Sequence, residues 1–229
     1  MFGLKNYKKI IKIINSNNLT ITKNWNKKNY KNNVLLRHDV DFSIELALLI
    51  AEFEFKHKIQ STYFFMCSSN MYNLFSKENI KIVKTIKNLG HKISLHFDPT
   101  VHISQKSFLI EKNIFEKIFN VKLDIISIHR PNKFLLNKES SLFGISHTYQ
   151  KKYFDELNYI SDSAGKEVFK PLKNFLKKRN RIGLQLLLHP IWWTIKSKSP
   201  TDSLNKWIKH NTKFITSEVA INCKTYNLS

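Results

Sequence analysis

The chain has 229 residues and a mass of 27.1 kDa, which fits one domain, and its 42% hydrophobic and 13% aromatic residues are enough for one core. A formal charge of +21 and a pI of 9.9 invite a nucleic-acid partner, yet the basic residues are nearly all Lys, dispersed and mixed with Asn; the arginines are Arg37, Arg130, Arg179 and Arg181. Readers of bases and phosphates favour the bidentate fork of Arg, so a specific nucleic-acid partner is set aside, and what remains is long-range attraction to anionic glycans or membrane surfaces.

No stretch has the unbroken apolar length of a membrane span. The opening M-F-G-L-K-N-Y-K-K-I-I-K-I-I threads lysines through its apolar residues, unlike a secretory signal, so the chain is read as cytoplasmic. Cys67 and Cys223 share no metal-type spacing and read as free thiols in a reducing compartment.

In chain order, Leu4, Tyr7, Ile10, Ile11 and Ile14 form one face of a first helix. A polar Asn/Lys-rich connection follows, broken by a short strand at 19–21. The run V-L-L-R-H-D-V-D at 34–41 is too short for a helix and reads as a buried strand ending in His38, Asp39 and Asp41. Ser43 caps a helix over 44–55, and S-T-Y-F-F-M is the next strand. Ser76 caps a third helix that Gly90 stops, before the strand K-I-S-L-H-F and then Asp98 and Pro99. Residues 104–119 are a helix, and 124–129 a strand closed by H-R-P. A short strand at 144–149, a helical turn at 151–157 and the strand Y-I-S-D-S follow. Pro171 opens a helix to Arg179, and I-G-L-Q-L-L-L-H is the last strand, ending at His189 and Pro190. Thr201 and Asp202 cap a final helix through Trp207 and Ile208, and 214–229 is weakly specified. Strands alternating with helices predict an α/β fold of parallel strands in a single domain, 1–229.

Ionisable residues stand at five strand ends: Asp39 with Asp41, His96, His129 with Arg130, Asp162, and His189. Parallel strands gather such ends on one face, where α/β folds place ligands and catalytic groups. Alternation puts Asp39 and Asp41 on the same side, suiting a metal, or a base beside a metal ligand. The plainer alternative is that one Asp caps the next helix while the other pairs with Arg37.

These blocks, in this order, resemble the polysaccharide deacetylase family, carbohydrate esterase family 4, over about 34–193. The resemblance implies a distorted (β/α) barrel of about seven parallel strands. R-H-D-V-D resembles the first block, with one Asp as base and one as metal ligand. G-H-K-I-S-L-H-F-D resembles the second, with a metal histidine at His96. H-R-P resembles the third, where Arg130 would hold the base. S-D-S resembles the fourth, where Asp162 would steady the acid, and L-L-L-H-P-I-W-W the last, with His189 as catalytic histidine. Two departures stand out. The first block lacks adjacent aspartates, so which one binds metal stays open. The second ligand histidine is replaced by Thr100, for which His129 is the substitute, ahead of His102 or His91.

Asp41, His96 and His129 would then hold a divalent ion, Zn²⁺ by donor type. Asp39 would be the base, held by Arg130, and His189 the acid, oriented by Asp162. One of Trp192 and Trp193 is expected in the core and the other against a sugar ring. Arg37 reads as a structural ion pair near the barrel rim, and His38 as a support behind the ligands. The expected activity is removal of an acyl group, N-acetyl by family, from a sugar or glycan precursor. The rival readings are a catalytically inactive carbohydrate-binding barrel and, behind it, a basic nucleic-acid-binding domain.

Overall fold

A computed structural model describes residues 2–101, 104–136, 138–178 and 182–226. The expected end of a helix at Arg179 and the alternative ligand His102 lie outside them. The elements are α1 (Leu4–Ser16), β1 (Thr20–Thr22), β2 (Asn33–Val40), α2 (Ile44–Lys56), β3 (Thr62–Phe65), α3 (Lys77–Asn88), β4 (Lys92–Phe97) and α4 (Gln105–Phe119). They continue with β5 (Ile125–Ile128), β6 (Ser146–His147), α5 (Lys151–Phe154), β7 (Asn158–Ser161), α6 (Phe169–Leu176), β8 (Leu184–Leu188), α7 (Pro190–Thr194) and α8 (Pro200–Asn222). Short 3₁₀ turns lie at Lys133–Leu135 and Ser163–Gly165.

The strands form one sheet in the order β6-β5-β4-β3-β2-β8-β7, with β1 paired to β2 off that path, and every pairing is parallel. The sheet curls into an open half-barrel wrapped by helices, as expected of a distorted (β/α) barrel. Its convex side carries Val34, Leu36, Val40, Tyr63, Phe65, Leu95, Ile126, Leu186 and Leu188 against the helices. Its concave side begins with a smaller apolar plug of Trp25, Tyr30, Leu35, Phe64, Ile125, Tyr153 and Leu157. Along β2 the concave residues then run Leu35, Arg37, Asp39, so the barrel interior changes from apolar to ionisable toward the C-terminal strand ends.

Helix starts follow local chemistry. The Ser43 and Ser76 hydroxyls accept from the amides of Leu46 and Asn79, and Ser104 and Ser107 form a reciprocal capping box. Several boundaries differ from expectation, most of all that of α8, which runs on to Asn222 rather than ending near Ile208. α8 is capped by Ser199, which accepts from the Asp202 amide, rather than by Thr201 or Asp202, because Pro200 pre-sets its first turn. α6 starts at Phe169, two residues before Pro171. The segment after His189 turns into α7, with Pro190 in its first turn.

Candidate active site

β2 delivers Asp39 at its last turn inward and Asp41 just beyond its end. β4 delivers His96, the residue after β5 is His129, and the residue after β8 is His189. Ligand-type atoms of Asp41, His96 and His129 all lie within 4.8 Å of one another. His96 Nε2 is 3.2 Å from Asp41 Oδ1 and 3.8 Å from Asp39 Oδ2, and His189 Nε2 is 3.7 Å from Asp41 Oδ2. Asp41 Oδ1 is buried yet lacks an aligned hydrogen bond, although His96 Nε2 stands near it. Burial opposes ionisation of Asp41, but His96, with His189 and His129 behind it, holds its carboxyl well below the ordinary range. His129 is steered from behind: its Nδ1 lies 2.9 Å from Asp98 Oδ2, which leaves Nε2 free. An oxygen and two imidazole nitrogens converging with an unpaired buried carboxylate oxygen fit a borderline divalent ion.

Asp39, 2% exposed, is gripped on one oxygen only. Its Oδ2 accepts from Ser127 Oγ at 2.9 Å and Arg37 Nη2 at 3.3 Å, while Oδ1 has no partner. Arg37 is fully buried, donating from Nη2 to Tyr149 Oη at 2.9 Å and from Nη1 to Gln185 Oε1 at 3.1 Å. Burial works against its charge, but Asp39 and then Tyr149 outweigh that and keep the guanidinium protonated.

This corrects the expected partner of Asp39. Arg130 is exposed, with φ at 45°, and makes no hydrogen bond or ion pair among the described residues. The place beside Asp39 is taken by Arg37 instead. Arg37 therefore does form the plainer ion pair with Asp39, but inside the barrel rather than at its rim.

His189 and Asp162 meet as expected. Asp162 Oδ1 lies 2.5 Å from His189 Nδ1, and its two oxygens accept from the His189 amide at 3.1 and 2.9 Å. Trp193 Nε1 donates to Asp162 Oδ2 at 2.6 Å. Burial pushes the His189 imidazole down, but Asp162, with smaller help from Asp41 and Asp39, lifts it to about 9. Neither tryptophan is available to a sugar. Trp192 and Trp193 are 5% and 3% exposed, the first against Phe2 and Phe42, the second on Asp162. Both are core-facing because α7, unlike a strand, can bury adjacent residues together.

Two other histidines are elsewhere. His38 and His91 lie on the convex side, bonded to Glu54 and, for His91, also to the Ala51 carbonyl at 3.0 Å, so neither supports nor replaces a ligand. Ser127, Tyr149 and Gln185 were not singled out by sequence; Asp98 stood out only as a ligand-type residue at a strand end, without the role beside His129.

The parallel sheet thus forms a half-barrel with carboxylates and histidines gathered at its C-terminal strand ends. Among solved structures the chain is similar to the peptidoglycan deacetylase PdaC from Bacillus subtilis, at 16% identity over 79% of this chain and 83% of that one, with a TM-score of 0.48. It is also similar to the Bc1960 peptidoglycan N-acetylglucosamine deacetylase, at 20% identity over 83% and 85%, with a TM-score of 0.47. A carbohydrate esterase family 4 pseudoenzyme from Bacillus anthracis matches at 17% identity and a TM-score of 0.44; 82% of this chain is covered, but only 62% of that protein's length. No family profile and no curated protein sequence matches the chain.

Proposed function

We propose that this chain is a metal-dependent hydrolase that removes an N-acyl group, acetyl in the first instance, from a sugar of a surface polysaccharide or its precursor. The observation that carries the reading is the convergence of Asp41, His96 and His129 beside an Asp39 oxygen left without a partner. Asp41, His96 and His129 would hold the ion, Zn²⁺ by donor set, which when bound polarises an amide carbonyl and acidifies water.

The chain's own groups supply the proton traffic. Asp39 takes the proton of the attacking water on its free Oδ1, because Oδ2 is already committed to Ser127 and Arg37. Arg37, rather than Arg130, keeps that carboxylate charged and fixed. His189 enters protonated, with Asp162 holding its Nδ1 side, and gives the proton on Nε2 to the departing amine. Base and acid thus flank one carbonyl position from β2 and the end of β8.

The deciding experiment measures metal content of the purified protein and acetate released from N-acetylglucosamine oligosaccharides. About one divalent ion per chain is expected, lost in Asp41→Ala, His96→Ala and His129→Ala together with hydrolysis. A wild-type chain that takes up no ion when metal is supplied would overturn the reading. Thr100 in place of a ligand histidine favours the inactive carbohydrate-binding barrel, which that outcome would select.

A further inference from the structure

α8 is unlike the other long helices. Of its 23 residues only Ser203 is buried, while Ile208, Phe214, Ile215 and Ile221 are 52%, 56%, 53% and 74% exposed. Its first turns are anchored: the Trp207 ring packs edge-on against Phe42 at 5.4 Å, and Lys206 Nζ donates to the Lys196 carbonyl. From Ile208 onward the side-chain hydrogen bonds stay within the helix, as in Thr212 to the Ile208 carbonyl and Ser217 to the Lys213 carbonyl. More than half of the helix therefore stands clear of the body with large apolar side chains in water.

Those side chains form a face. Trp207, Phe214 and Ile221 recur every seven residues, as do Ile208 and Ile215 beside them. Lys209 falls on the opposite side, and Lys206 and Lys213 flank the stripe. An apolar stripe with an aromatic end and a lysine-bearing back is the pattern of a helix lying in a bilayer surface. We propose that α8 is a membrane-surface helix that seats its Ile208–Ile221 stripe among the headgroups of an anionic bilayer, with Trp207 tying it to the body through Phe42.

Charge selects this occupant over a second copy of the chain. The protein carries +21, which an anionic lipid surface complements and a second copy repels. A parallel pairing of two stripes would also set Glu218, which interrupts the stripe between Phe214 and Ile221, against its own copy. The placement has a consequence for the site: Phe42, on which Trp207 rests, follows Asp41 directly, so a seated α8 holds the rim of the barrel close to the lipid. If the hydrolase reading holds, that suits a sugar substrate carried on a lipid.

The test is co-sedimentation of the full chain with phosphatidylcholine vesicles and with equimolar phosphatidylcholine–phosphatidylglycerol vesicles, alongside its solution mass by light scattering. A monomer that sediments with the mixed vesicles and not with phosphatidylcholine alone is expected, binding falling as salt rises. Phe214→Ser/Ile215→Ser, both exposed positions, should weaken binding about tenfold or more while circular dichroism keeps the wild-type fold. Three results would overturn the proposal: no binding by the wild type, undiminished binding by the double variant, or a dimer that the double variant dissociates, which would make a second copy the occupant. None of these depends on catalytic activity.

Discussion

Two clusters of buried ionisable groups lie back to back across β2, and they are finished differently. On the convex face Glu54 is saturated: Oε1 meets Tyr7 and His38, and Oε2 accepts from Ser61 and Tyr63 at 2.6 and 2.7 Å with His91 at 3.5 Å. Only His38 Nδ1 there lacks a partner. On the concave face Asp39 Oδ1 and Asp41 Oδ1 are both left over, although Arg37, Ser127 and His96 stand within reach. Burial alone does not separate a structural cluster from a chemical one, since both are buried and charged. An unsatisfied buried acceptor costs about 1–3 kcal/mol, so folding tolerates two of them only where another demand is met. The contrast supports a structural role for Glu54 and, on the proposed hydrolase reading, a chemical one for the two aspartates.

The sharpest way to break that contrast is Asp39→Asn. Turnover should fall about 10³-fold with metal content unchanged; a variant that instead loses stability at full activity would place Asp39 with Glu54. The mirror experiment is Glu54→Ala, which strips Tyr7, His38, Ser61 and Tyr63 of their shared buried partner. It should cost about 3–5 kcal/mol in denaturant unfolding and leave metal content alone, whereas loss of the ion would tie the two faces together.

Acid should act through the same group. Burial raises the Glu54 carboxyl, but His38 and then His91 and Ser61 outweigh it and hold it at about 2, below the unfolded 4.5. A depressed carboxylate stabilises fully above its unfolded value and loses that contribution as pH falls from 4.5 toward about 2. Thermal melts of wild type should decline through that window, and those of Glu54→Gln should decline less.

Smaller effects separate the two arginines. Arg37→Met should lower kcat about 10²-fold by letting the Asp39 carboxylate drift, with KM and metal content held and Arg37→Lys recovering part of the loss. Arg130→Ala should stay within about twofold in stability and well above Arg37→Met in kcat. The opposite ranking would return the base-holding role to Arg130.

Much of the fold was readable because strands end in chemistry and helices begin with Ser. Ser43, Ser76 and Ser104 stop one element and start the next by a single hydroxyl, a signal confined to four residues. The convergence of Asp41, His96 and His129 was readable for a related reason: parallel pairing gathers strand ends without any need to know loop paths. Arg37 was not readable in that way. Its partners besides Asp39 are Tyr149 and Gln185, brought in by the folded barrel from 112 and 148 residues away. Arg130 misled because its position depends on one backbone angle, and a left-handed residue before Pro131 leaves no mark in H-R-P. The tryptophans misled because Pro190 turns the end of β8 into α7, which changes side-chain periodicity from two to that of a helix.

Asp162 ties three things with one carboxylate: the His189 ring, the His189 backbone and the Trp193 indole. Losing it would loosen the junction of β8 and α7 along with the His189 ring, so selection for a folded protein guards it whether or not the site is active. Asp41, with an oxygen that serves no fold contact, has no such protection. In lineages where this barrel stops working as a catalyst, residue 41 should drift early and residue 162 late, and the order of decay would record which oxygens were held by architecture and which by chemistry alone.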